Sequence, residues 1–182
     1  NYKWIGREDR LSEVTGASGW ATAITEISAK LEEAQPGSVA IVGGARQTNE
    51  ELYLLKKLAN KLEAITDSAP RSGQGDKLLS CPDKNSNSTG SRLIGIANEE
   101  LGSRFAEIAQ GIEAGTITSL IVFGDDVTKH GINEALLDKL DLLVVSDILP
   151  NTTTSKAHYL LPGCAHTEKR GTFTNVKGQV QK

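Results

Sequence analysis

Near the C-terminus His158, Cys164 and His166 fall in a His-x5-Cys-x-His pattern, with Glu168 close behind. Imidazole nitrogen, thiolate and carboxylate are the donors that zinc and softer transition metals take. Structural zinc sites present paired ligands from two knuckles, however, and Cys164 after Gly163 is as readily a small buried residue at a strand end. Cys164 and His166 as nucleophile and base meet another objection. Neighbours at i and i+2 share a face only on extended chain, and no third group to orient the histidine is evident. The sequence therefore assigns no catalytic residue and no metal ligand. The only other cysteine, Cys81, is distant and no Cys-x-x-Cys occurs, so the chain cannot by itself supply the four thiolates of an iron–sulfur cluster. Among the acidic pairs, Glu32-Glu33, Glu50-Glu51 and Glu99-Glu100 belong to helix starts or solvated helix faces, and Asp125-Asp126 alone falls at a strand end.

The elements that must position these residues alternate. Trp20, Ile24, Ile27, Leu31 and Ala34 draw one apolar stripe, which predicts a helix over 18–34 packed on a sheet. Gln35-Pro36-Gly37 breaks it, and residues 38–44 read as a buried parallel strand. Thr48-Asn49-Glu50-Glu51 is a capping box opening a second helix, with Leu52, Leu55, Ala59, Leu62 and Ile65 as its buried face. Leu101, Phe105, Ile108 and Ile112 form a third stripe, capped by Gly115, and residues 119–124 are another strand. A short helix with Ile132, Ala135, Leu136 and Leu140 inward and a strand over 142–147 complete a right-handed βαβ unit. Residues 158–162 add a strand, and 172–175 with 179–181 around Lys177-Gly178 give a strand, turn and return. The fold class is α/β, a mostly parallel open sheet with helices on both faces in a Rossmann-like arrangement of two halves. Residues 1–17 form an N-terminal extension, 18–66 the first half, 67–91 a connector rich in turn formers, and 92–182 the second half. The connector is expected to carry a short strand around Leu78 or to mark a domain joint.

Such sheets bind ligands at the carboxyl ends of their strands, which here means Gly43-Gly44, Gly124-Asp125-Asp126 and Ser146-Asp147. Residues 42–48 match neither the Gly-x-Gly-x-x-Gly fingerprint nor a P-loop, so a simple NAD or ATP site is not indicated. The balance of 20 Lys and Arg against 23 Asp and Glu, with a pI near 5.7, gives none of the basic excess that nucleic acid demands. A mean hydropathy of -0.28 and the lack of an apolar run of roughly 20 residues exclude a spanning helix. The triplets Asn87-Ser88-Thr89 and Asn151-Thr152-Thr153 read as polar loop. With no Met in the chain and no signal pattern at its start, the sequence reads as an excised piece of a longer polypeptide.

Residues 119–126, 140–149, 157–162 and 168–181 resemble, in order and spacing, the molybdopterin oxidoreductase family, and the last stretch is the most specific. Trp20 with its helix, residues 36–41 and Thr48-Asn49-Glu50-Glu51 are similar to that family's central region. Asp83-Lys84-Asn85-Ser86-Asn87-Ser88-Thr89-Gly90 resembles one branch, the large iron–sulfur subunit of NADH:quinone oxidoreductase (respiratory complex I). The resemblance implies a shortened part of a family member. Active members hold molybdenum or tungsten on two pterin dinucleotides, and the region that commonly ligates the metal has no counterpart here.

Where the family carries Gly-x-Asn-Pro, this chain has Gly124-Asp125-Asp126-Val127, an Asp where an Asn faces the cofactor. A cofactor anion within about 5 Å of that carboxylate would lose on the order of 3 kcal/mol at an effective dielectric near 20, or about 0.8 in water. In affinity that is roughly fourfold to more than a hundredfold. The family's Ala-Asp-Val-Val-Leu-Pro becomes Ala157-His158-Tyr159-Leu160-Leu161-Pro162, and Gln179 replaces an Arg. Gly124, Asp126, Ser146, Asp147, Thr172 and Asn175 are thus expected to be vestigial pterin-dinucleotide positions serving turns and strand ends. The resemblance implies a domain without its own cofactor, part of a complex that passes electrons from NADH to quinone. Iron–sulfur clusters would lie in an N-terminal region of the parent. Its partners would be that region and other subunits of the respiratory complex, at a cytoplasmic site peripheral to the inner membrane. One alternative is a fragment of an active molybdenum or tungsten pterin enzyme such as a formate dehydrogenase. Another is a free-standing small-molecule-binding domain.

Overall fold

The computed structural model describes residues 5–76, 78 and 80–182. Helix α1 (Trp20–Glu33) leads to β1 (Val39–Gly43), α2 (Asn49–Leu62) and β2 (Ile65–Asp67). After an irregular stretch come α3 (Ser88–Ile94), α4 (Phe105–Glu113) and β3 (Ser119–Phe123). A 3-10 turn (Val127–His130), α5 (Glu134–Leu137), β4 (Leu142–Asp147), α6 (Thr152–Ser155) and β5 (Tyr159–Pro162) follow. The hairpin strands β6 (Phe173–Thr174) and β7 (Val180–Gln181) end the order.

Five strands form one parallel sheet in the order β2-β1-β3-β4-β5, and β6 pairs antiparallel with β7. Alternate strand residues face opposite ways, and the two faces carry separate cores. Ala40, Val42, Leu120, Val122, Leu143 and Val145 meet α4 through Phe105, Ile108 and Ile112. On the other face Val39, Ile41, Ile121, Leu142 and Val144 meet α1 and α2 through Ala23, Ile27, Leu52 and Leu55. This α/β sheet with helices on both faces is the architecture that the alternation of apolar runs and stripes predicts.

Several details differ from the sequence expectation. Helix α1 turns Ala23, Ile27 and Leu31 inward, while Trp20 and Ile24 are 52% and 49% exposed. Small Ala23 is what lets the helix approach the sheet, and an apolar count rewards large side chains instead. Ile65 belongs to β2, because Glu63 adopts a left-handed conformation (φ 51°) that ends α2 first. In the short helix Leu137 is buried and Ala135 is exposed, since only one turn forms before the chain enters β4. Leu78 lies in an exposed bend, and Leu79 falls outside the described residues. Around it the chain folds back on itself through a bridge between Ser72 and Asp83, and Lys84 Nζ clasps Gln74 O, Ser80 Oγ and Cys81 O, each at 2.7 Å.

Near the N-terminus Thr15 pairs antiparallel with Leu160, N to O at 3.1 and 3.2 Å, and Leu11 N donates to Ile148 O at 2.9 Å. The stretch thereby covers the outer edge of β5, which would otherwise offer unpaired main-chain groups.

Candidate functional site

From β1 the sheet grows one way to β2 and the other way to β3, so the order reverses between β1 and β3. Open α/β sheets bind ligands at the carboxyl ends of the strands at such a point. A cavity of about 580 Å³ lies there, large enough for a small-molecule ligand. Its floor is Phe123, Gly124, Ser146, Asp147 and Ile148; Arg46, Gln47, Glu51 and Ser86 stand on the β1 side, and residues 162–166 with Lys169 and Phe173 on the other. At Gly44 the chain leaving β1 passes so close to β3 that a Cβ would stand 2.5 Å from Phe123 O. Only glycine fits that crossing.

Arg46 bridges the two loops by donating from Nη2 to the Gly124 carbonyl. Burial pushes its guanidinium pKa down and nearby Arg71 adds to this, while Asp125 and Asp147 oppose. Asp147 shows the converse. Burial raises its pKa, against the Ile148 amide at 2.7 Å, the Arg46 charge and Asn151 Nδ2 at 2.8 Å. Lys169 Nζ is held by Glu51 Oε2 at 2.8 Å, Glu51 Oε1 at 3.0 Å and Gln47 Oε1 at 2.9 Å.

A helix N-terminus is a ready anion site, but at α2 protein groups already fill the place. Thr48 N donates to Glu51 Oε2 at 2.7 Å, Glu51 N to Thr48 Oγ1 at 3.2 Å, and Asn49 N to Thr172 O at 2.8 Å. The capping box legible in the sequence is therefore also what closes this end of the cavity.

Of the positions singled out in the sequence, Gly124, Ser146 and Asp147 line the cavity. Asp126 turns inward instead. It caps the 3-10 turn and accepts from Thr128 Oγ1 at 2.7 Å and Thr153 Oγ1 at 2.8 Å. Its carboxylate is thus held by hydroxyl donors inside the protein and is 6% exposed, so the penalty anticipated for a charge facing a cofactor does not fall on the cavity. Thr172 binds Glu50 and Asn49 beside α2. Asn175 Oδ1 accepts from Lys177 N at 2.9 Å and Gln179 N at 3.0 Å, which makes it the turn residue of the β6–β7 hairpin.

The histidine and cysteine cluster is dispersed. His158 Nδ1 accepts from Leu143 N at 2.8 Å near the opposite end of the sheet, whereas Cys164 and His166 line the cavity. Glu168 is held by Arg10, which with the Ala165 amide brings its pKa down to about 2. Among the described residues no group of three His, Cys, Asp or Glu side chains could hold a metal. Arg46, Gln47, Lys169 and the two phenylalanines escaped the sequence reading. The signal available for Arg46 and Gln47 was their place directly after the β1 glycines.

Sheet order and switch point together define an open α/β domain of Rossmann-like architecture. Within that class, the chain belongs to the molybdopterin oxidoreductase family, whose model matches residues 66–182. It is 35% identical over 96 residues to NADPH-Fe(3+) oxidoreductase subunit alpha of Geobacter sulfurreducens (strain DL-1 / KN400), covering 50% of this chain and 11% of that protein. It is 29% identical over 174 residues to the Staphylococcus aureus (strain MRSA252) protein named "Putative formate dehydrogenase SAR2393", covering 90% of this chain and 17% of that protein. The chain thus spans a small fraction of these relatives. No helix among the described residues is long and apolar enough to cross a membrane.

Proposed function

We propose that the chain is a framework domain of a larger electron-transfer oxidoreductase, of the kind found in the large iron–sulfur subunit of NADH:quinone oxidoreductase, and that it carries no redox group itself. On this reading electrons pass from NADH towards quinone through iron–sulfur clusters outside residues 1–182. The domain packs against the cluster-bearing region and neighbouring subunits, on the cytoplasmic side and peripheral to the inner membrane. One observation carries the reading, the charge balance of the cavity: Arg46 and Lys169 face Glu51 and Asp147. A pterin dinucleotide brings a diphosphate, and sites for such anions offer cationic groups or main-chain N–H groups in excess. Here Lys169 is neutralised by Glu51 and the start of α2 is self-capped. The cavity has the room but not the charge, so no chemical step is assigned to a pterin cofactor.

The assignment to the respiratory branch rests on the Asp83–Gly90 resemblance. A second reading, a piece of a molybdenum or tungsten pterin enzyme such as a formate dehydrogenase, draws support from the staphylococcal relative, whose match runs along 90% of this chain. Metal analysis of the full-length parent separates the two. The framework reading expects iron without molybdenum or tungsten, and a stoichiometric signal for either overturns it.

A further inference from the structure

Residues 163–172 leave the end of β5 and reach the start of α2. Because β4 and β3 lie between β5 and β1 in the sheet, this stretch crosses the carboxyl ends of two strands. Gly163, Cys164, Ala165, His166 and Lys169 along it wall the cavity. The stretch contains no helix and no strand. Among the described residues, its main-chain bonds to the rest of the protein lie at its two ends. Gly163 N donates to Asp147 O at 2.8 Å, and Thr172 O accepts from Asn49 N at 2.8 Å. The bond between them, Glu168 N to Ala165 O at 2.9 Å, stays inside the stretch. Side chains fasten the middle: Arg10 grips Glu168 from the N-terminal stretch, and Lys169 reaches Glu51 and Gln47 on the far wall.

We propose that residues 163–172 form a strap that opens over the cavity as a unit while the sheet stays folded, with Arg10–Glu168 and Lys169–Glu51 as its two latches. Segments with few main-chain bonds open locally at free energies far below that of global unfolding. A partly exposed ion pair holds such an opening back by about fivefold or less. The strap does not depend on what the cavity holds or on which oxidoreductase the parent is, because it is defined by its fastening alone.

Hydrogen–deuterium exchange on the whole protein tests it, with the variants Arg10→Gln, Lys169→Met and the double replacement. The two hydrogen-bonded amides inside the strap, Ala165 N on Glu168 Oε2 and Glu168 N on Ala165 O, each at 2.9 Å, should exchange up to about fivefold faster in each single variant and about tenfold faster in the double. Amides of β4 should be unchanged. Unaltered exchange in the strap overturns the proposal, as does acceleration of strap and β4 together. The unsubstituted protein gives an independent check, since salt near 1 M shortens the screening length to about 3 Å. Strap exchange should then rise about threefold relative to low salt, and a rate indifferent to salt also rejects ionic latches.

Discussion

Asn87 has no exposed surface, and its amide joins three parts of the chain. Nδ2 donates to Gln47 O at 2.8 Å and Asn49 Oδ1 at 3.1 Å, while Oδ1 accepts from Thr174 N at 2.8 Å. The motif that resembles the respiratory branch is thus an architectural joint between the β1 loop, α3 and the C-terminal hairpin. Gly90 beside it has no room for a Cβ, which would stand 2.2 Å from Asn87 Oδ1 and 2.3 Å from Asn49 Oδ1. Asn87→Ala leaves Gln47 O and Thr174 N without this partner in a dry place, and should cost about 3 kcal/mol in denaturant unfolding. Asp125 gives a pH prediction. Burial alone would raise its pKa, but His130, with Nε2 3.6 Å from Oδ1, and Arg71, with Nε 3.2 Å from Oδ2, outweigh that and bring it to about 2. A carboxylate depressed on folding stabilises the protein above its unfolded pKa, near 3.8, and the contribution of about 2 kcal/mol fades as pH falls from about 4 towards 2. His130→Ala should move the Asp125 pKa upward in a carboxyl NMR titration and shift acid unfolding to higher pH. An unmoved Asp125 titration would refute the pairing.

Helix α1 shows at the scale of the element how far an apolar stripe can be trusted. Trp20, Ile24, Ile27 and Leu31 share a helical spacing, yet the sheet takes only the half that Ala23 joins. Ile27→Ala should therefore cost about 2–4 kcal/mol, and Ile24→Ala should stay within about 0.5 kcal/mol. Equal costs in urea titrations would restore the stripe through Ile24. The strands were legible because residues buried on both faces need continuous apolar runs, and the start of α2 was legible because its cap is a local motif. The end of α2 was hidden, since Ile65 continues the helical spacing and only the left-handed Glu63 shows that the helix has stopped. The site divides along the same line. Gly124, Ser146 and Asp147 follow from position at strand ends, whereas Lys169 arrives from a segment without periodicity and Asp126 turns inward to meet Thr153, a partner distant in sequence.

For the whole molecule, the framework reading must explain why a formed cavity would persist without a redox group to fill it. The sheet order alone creates a crevice where the chain leaves β1 and β3 in different directions, and Gly44 and Arg46 lock that divergence in place. A crevice of this origin needs no ligand to maintain it, only side chains whose charges settle one another, as Lys169 and Glu51 do. Ser146 lines its floor with room beyond it, so Ser146→Leu adds apolar volume to the cavity while the two cores remain as they are. On the framework reading, this variant, measured in the assembled parent, should keep NADH-driven quinone reduction within about twofold, because a framework domain would touch no reacting group in the transition state. A pterin enzyme would respond differently: a leucine in the space of a bound dinucleotide would block loading, and turnover would fall by far more than tenfold with loss of the metal. A large drop in turnover with folding intact would therefore reject the framework reading, even if the unsubstituted parent were already known to oxidise NADH.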